Sequence, residues 1–226
     1  MKPFLTVVIL LFFLQTSFGQ EEKTFERLGK FTEVKAFDGL SVNLIKSDIN
    51  KAVVSGDNTT KVAIVNAKGV LKLRMQITKL FSGYRTFVDL YYTEELVTID
   101  VNEDARISSE GNIEQDLLEL KAQEGGELSI MADVEQLLVK AVTGGTIETY
   151  GSSDLQDIAI NTGGVYEGKE FKTKFSTINV NAGSRAEIYA VDYVKATVKA
   201  GGEVLVHGNP TKMEEKTVFG GKITRM

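Results

Sequence analysis

The second half of the chain alternates apolar and polar residues in short runs, and the runs recur on a fixed beat. Six doublets of small residues mark it: Gly125-Gly126, Gly144-Gly145, Gly163-Gly164, Gly183-Ser184, Gly201-Gly202 and Gly220-Gly221 begin 19, 19, 20, 18 and 19 residues apart. Overlaying the repeats on the first residue of each doublet, with Asp104 in that place for the first repeat, brings out columns. Three positions before the reference stand Val101, Ala122, Ala141, Ile160, Val180 and Val198, and five before it Ile99, Leu120, Val139, Ile158, Ile178 and Ala196. Polar residues such as Asp100, Lys121, Lys140 and Asn179 come between them, which is the period-two signature of a strand with one buried face. Three positions after the reference come Ile107, Leu128, Ile147, Val204 and Ile223, and a looser column holds Ile113, Val134, Leu155, Phe175, Val194 and Met213.

A repeat of this length that cannot bury its apolar face alone implies a solenoid, in which neighbouring turns supply the cover. The pattern predicts an all-β fold, a right-handed parallel β-helix with about 19–20 residues per turn and three short strands in each. Small residues are expected at the doublets because the chain must turn sharply there and successive corners pack at strand spacing. Upstream, strand patterns lie at 40–44, 52–55, 62–65, 70–75 and 86–92, separated by turn formers at Asp57-Asn58 and Lys68-Gly69, without the 19-residue beat. Residues 31–226 therefore read as one β-helix domain, with irregular first turns and a cap over 31–95 and regular turns over 96–226.

The N-terminus belongs to a different class. Lys2, an apolar run from Phe4 to Leu14 broken only by Thr6, and Ser17-Phe18-Gly19 read as an export signal over residues 1–19, followed by a charged lead-in over 20–30. The run is too short to span a bilayer, and no later stretch approaches the roughly 20 apolar residues a span requires. Export points to the periplasm, the cell surface or the extracellular space. The 226 residues contain no cysteine, so disulfides, thiolate metal sites and catalytic thiols are all excluded. Net charge is −5, and one unit more negative once Lys2 is removed; with no Lys/Arg cluster, nucleic acid is not an expected partner.

Two segments near the C-terminus carry a family resemblance. Ala200-Gly-Gly-Glu-Val-Leu-Val-His-Gly-Asn-Pro210, followed by Gly220-Gly-Lys-Ile223, resembles the closing motif of the putative auto-transporter adhesin head GIN domain, a bacterial family of exported β-helical proteins. Thr143-Gly-Gly, Thr162-Gly-Gly and Ala182-Gly-Ser match its habit of a small-residue doublet at each turn. Asp104-Ala105 departs from it, where a glycine corner is usual. The resemblance implies a β-helix and an adhesin-like role, and it transfers no catalytic or ligand-binding residue.

Candidate chemistry is sparse. His207 is the only histidine, beside the turn Gly208-Asn209-Pro210, which rules out a histidine zinc cluster. Asp100, Asn102 and Asp104 have the odd-position oxygens of a calcium loop, but Ala105 and Gly111 stand where glycine and the bidentate glutamate belong. These three are expected on the outer face of a strand. No metal and no cofactor is expected. Tyr150, Tyr166 and Tyr189 follow three successive corners at offsets of 6, 3 and 6 and are the candidate ligand-binding strip, suited to stacking on sugar rings. The composite expectation is a non-enzymatic envelope interaction module. Its partner would be a glycan or a surface protein, with self-association at the coil ends. The alternatives are a structural envelope protein and, less favoured, a polysaccharide-active enzyme.

Overall fold

The computed structural model describes residues 22–80 and 82–226, so the expected export signal lies outside the described residues. The upstream strands are β1 (Lys23–Phe25), β2 (Glu33–Ala36), β3 (Ser41–Lys46), β4 (Lys51–Gly56), β5 (Val62–Ala67), β6 (Val70–Met75) and β7 (Thr86–Tyr92). Next come β8 (Thr98–Val101), β9 (Arg106–Ser109), β10 (Ile113–Gln123), β11 (Glu127–Val142), β12 (Thr146–Ile160) and β13 (Val165–Val180). The last are β14 (Arg185–Lys199), β15 (Glu203–His207), β16 (Lys212–Val218) and β17 (Lys222–Arg225). All 17 belong to one hydrogen-bonded sheet, wound as stacked parallel coils into a β-solenoid of about seven turns.

The two tight columns read from the sequence are the core. Ile99, Leu120, Val139, Ile158, Ile178 and Ala196 are in parallel register and buried, as are Val101, Ala122, Ala141, Ile160, Val180 and Val198. Each buried Ile, Leu or Val contributes roughly 1.5–3 kcal/mol by leaving water. The expected division into three short strands per turn does not hold. From β10 to β14 each coil is one strand of 11 to 16 residues, interrupted only at the doublet. Elsewhere the chain bends inside the strand, by turning two consecutive residues outward, with a missing or shifted rung at the bend. In β11 the inward set is 128, 130, 132 and 134, then 137, 139 and 141, so that Glu135 and Gln136 both face out.

That change of phase overturns part of the looser column. Leu155 and Phe175 are 47% and 44% exposed, while their neighbours Gln156 and Ser176 point inward and are buried. Gln156 donates to the hydroxyl of the buried Tyr166 (2.5 Å), which also bonds the Thr149 hydroxyl (2.8 Å); Gln156 Oε1 and Ser176 Oγ have no partner. Asp100 and Asn102 are likewise not on an open face. Both are buried, with Asp100 held by Lys35 Nζ (3.2 Å) and Asn102 Nδ2 (3.0 Å).

The doublet corners carry a second ladder. At Thr143-Gly144 both residues have positive φ (50° and 74°), and the Gly145 amide closes the turn on the Val142 carbonyl (3.0 Å). Gly144 has open space around its missing Cβ, so glycine is favoured there by φ alone. Gly145 is favoured by space: a Cβ would lie 2.3 Å from the Ala122 carbonyl oxygen of the preceding coil. The Gly144 amide donates in turn to the Thr162 carbonyl of the next coil (3.2 Å), and the same bond recurs along the stack as Asp104 to Glu124, Gly125 to Thr143, Gly163 to Ala182, Gly183 to Ala200 and Gly201 to Phe219.

This ladder reaches a corner that the 19-residue beat does not show. Asp38 and Gly39 have φ of 61° and 75°, and the Gly39 amide donates to the Glu103 carbonyl (2.9 Å). β2 pairs in parallel with both β6 and β8, and β3 with both β7 and β9. The coil of residues 33–46 therefore stacks directly on that of 98–109, although more than fifty residues intervene in sequence. The intervening chain turns back through β4 and β5, lays its own coil outside, and flanks the N-terminal end with antiparallel pairings of β4 to β1 and β7 and of β5 to β6.

At the other end the inward columns turn polar in part, Met213 and Ile223 still packing on the core. Glu215 and Thr217 stand in register with Ala196 and Val198, and Arg225 with Val206. Arg225 grips the Glu215 carboxylate through Nη2 (2.5 Å) and Nε (3.1 Å), an ion pair across the last coil where earlier coils have aliphatic groups.

Two substitutions test this assignment. Ile160→Asp buries an unpaired carboxylate and is expected to lose more than about 4 kcal/mol, whereas Asn161→Asp changes stability by less than about 0.5 kcal/mol; equal melting temperatures would contradict the faces. Ser176→Ala removes a buried hydroxyl with no partner and raises stability by about 1 kcal/mol, readable as a higher urea midpoint.

Candidate functional site

The outward side chains of successive coils form rows, because parallel register sets like positions side by side at about 4.8 Å. One sheet face runs from β7 through β3, β9, β11 and β12 to β13 and carries two such rows. The first is Phe87, Ser41, Arg106, Glu127, Thr146 and Val165; the second is Asp89, Asn43, Ser108, Ser129, Glu148 and Glu167. Between them lies a groove of about 400 Å³. Its apolar feature is the ring of Phe87, 49% exposed at one end.

The polar groups of the groove are mostly committed to one another. Arg106 forms a forked pair with Glu127, Nε to Oε2 at 2.8 Å and Nη2 to Oε1 at 3.2 Å, which raises the guanidinium pKa further. Asn43 Nδ2 donates to Asp89 Oδ1 (3.3 Å), and Tyr150 donates to Glu148 Oε1 (2.5 Å). That bond holds the Tyr150 hydroxyl pKa above its ordinary value and sets the ring at the groove margin. Glu148, Glu167 and Glu187 stack in register, with Arg185 Nη2 on Glu187 (2.6 Å). Asp89, Glu127 and Glu167 are exposed and Glu148 half-exposed.

The three tyrosines expected as one strip are separated by the structure. Tyr150 and Tyr189 are half-exposed on coils with β13 between them, Tyr150 opposite Glu170 and Tyr189 opposite Lys172. Tyr166 is fully buried: its ring occupies the space left by Gly168, where a Cβ would lie 2.5 Å from it, and burial pushes its hydroxyl well above the usual phenol range. Its offset of 3 from the doublet is the inward column of Leu128 and Ile147, which is the signal that places it inside. His207 is half-buried beside Tyr189, with Nε2 3.6 Å from Glu187. Among the described residues, no three His, Cys, Asp or Glu side chains are placed to hold a metal ion, and no helix is long and apolar enough to cross a membrane.

A second surface was not anticipated from the sequence. Where each coil turns two residues outward, Leu117, Gln136, Leu155, Phe175 and Tyr193 stand in register. The residues just before them are Asp116, Glu135, Asp154, Lys174 and Asp192. The result is an apolar ridge with an acidic border. The signal for it was available: in this column the apolar residue falls outside the strict alternation that the following Leu118, Leu137 and Val194 continue.

The fold has close solved counterparts. A crystal structure described as that of a putative adhesin from Bacteroides fragilis NCTC 9343 superposes with a TM-score of 0.81 at 16% identity, covering 93% of this chain and 98% of that one. Another described as a putative adhesin, from Parabacteroides distasonis ATCC 8503, gives 0.73 at 16% identity, covering 92% and 97%. A structure from the same organism, described as a putative lipid binding protein, gives 0.71 at 14% identity, covering 93% and 98%. At such identities the likeness establishes the fold alone. No curated protein matches the sequence. The sequence model described as "Putative auto-transporter adhesin, head GIN domain" matches residues 30–210, and the chain belongs to that family.

Proposed function

We propose that this chain is a non-enzymatic interaction module, exported to the envelope or cell surface, and that the groove beside Phe87 binds a glycan. The observation that carries the reading is the pairing of an exposed aromatic ring with rows of hydroxyl, amide and carboxylate groups on one concave face. A sugar offers an apolar C–H face and a rim of hydroxyls, and the two halves of this surface match them. Tyr150 extends the aromatic part at the margin, with Tyr189 two coils further on. The family match supports an adhesin-like role. A hydrolase needs one carboxyl kept protonated by an apolar pocket, whereas these carboxylates face water and Arg106 is already paired. The Glu215–Arg225 pair weighs against end-to-end self-association at the last coil.

Arg106→Ala should change stability by less than about 1 kcal/mol, because the pair it breaks is exposed, so groove variants can be compared as folded proteins. The functional test is a glycan array probed with chain 20–226, followed by titration of any hit. Phe87→Ala and Tyr150→Ala should each weaken binding several-fold with unchanged melting. A hit indifferent to both variants, or no hit together with co-purification of an envelope protein, would overturn the groove assignment. New reducing ends from a polysaccharide would replace it with an enzyme.

A further inference from the structure

We propose that the ridge of Leu117, Leu155, Phe175 and Tyr193 docks an extended segment of another protein in which Lys or Arg alternates with apolar residues. A single exposed apolar residue needs no explanation; Leu117, Leu155, Phe175 and Tyr193 in one register column, broken only by Gln136, do. Leu117, Leu155 and Phe175 are 38%, 47% and 44% exposed. Core stability would favour the opposite arrangement in two of these coils. Leu155 and Phe175 are outside while Gln156 and Ser176, both carrying a buried oxygen with no partner, are inside. Departures of this kind from local consistency mark surfaces shaped by something other than folding.

The border defines the occupant. Asp116, Glu135 and Asp154 form a row along one side of the ridge: one depression lies between them and Leu117, Leu155 and Phe175, and a second on their far side is lined by Asp133 and Ser152. Lys174 pairs with Asp154 at 2.7 Å, and four acids against one lysine keep the border net acidic. An anionic lipid surface would be repelled, and aliphatic Leu117 and Leu155 offer nothing to sugar hydroxyls. A cationic, apolar strand satisfies both halves. Four steps between coils at about 4.8 Å give roughly 19 Å, which an extended segment covers with about six residues. The ridge lies outside the residues assigned to the groove, so either reading can fail without the other.

The probe is a fluorescent peptide of sequence Lys-Leu-Lys-Leu-Lys-Leu, titrated by anisotropy with chain 20–226 and followed by amide shift mapping. Binding is expected to perturb the ridge amides, to weaken as salt is raised, and to fall about tenfold in two variants of unchanged melting temperature. One is Leu155→Ser with Phe175→Ser; the other is Asp116→Asn with Glu135→Gln and Asp154→Asn. Equal binding by hexalysine, by Glu-Leu-Glu-Leu-Glu-Leu, or to either variant would overturn the proposal, as would no binding or shifts mapping to the Phe87 groove.

Discussion

The structure depends on a hydrogen bond that most turns leave to water. At each corner an amide in left-handed backbone donates to the carbonyl of the next coil's corner, so that the stack is bonded through its bends as well as along its strands. A non-glycine residue in that conformation costs roughly 1–2 kcal/mol, and Glu103, Glu124, Thr143, Thr162, Ala182, Ala200 and Phe219 all adopt it. The cost is offset by the bond that each bend makes to the next coil. The small second residue of the doublet follows from the same geometry, since the close approach that makes the bond possible removes the room for a side chain.

With the corners fixed, the register of everything else is determined. A coil cannot slip by one residue without turning its aliphatic columns to solvent, so corner and core constrain the same alignment. The same constraint converts sequence positions into surface rows. A residue type repeated at one offset becomes a stripe along the axis, and the chain can write different chemistry on different faces while the interior stays nearly constant. The polar-and-aromatic groove and the acid-bordered ridge are two such inscriptions.

The columns at three and five positions before the doublet were legible because Ile, Leu, Val and Ala fill them without exception. The core is less legible where it departs from aliphatic packing. Tyr166 reads as a surface aromatic until its offset is compared with that of Leu128 and Ile147, and the buried hydroxyls around it break the rule that inward means apolar. Leu155 and Phe175 read as core because they are apolar, yet the coil bends at that point by presenting two outward residues in succession. The Asp38-Gly39 corner was hidden for a different reason: spatial order departs from chain order there, and a period measured along the sequence cannot detect a coil inserted from upstream. The groove was hidden for the same reason, since Ser41, Asn43 and Phe87 belong to that irregular part.

The most direct test is native-state hydrogen exchange at the corners, read amide by amide. Surface turns ordinarily exchange quickly, but Asp104, Gly125, Gly144, Gly163, Gly183 and Gly201 should exchange as slowly as the strand amides beside them, because each donates to the neighbouring coil. Rapid exchange at these six positions with slow exchange in the adjoining strands would show that the corners are ordinary loops, and that the coils are held in register by their strand ladders and side chains without them.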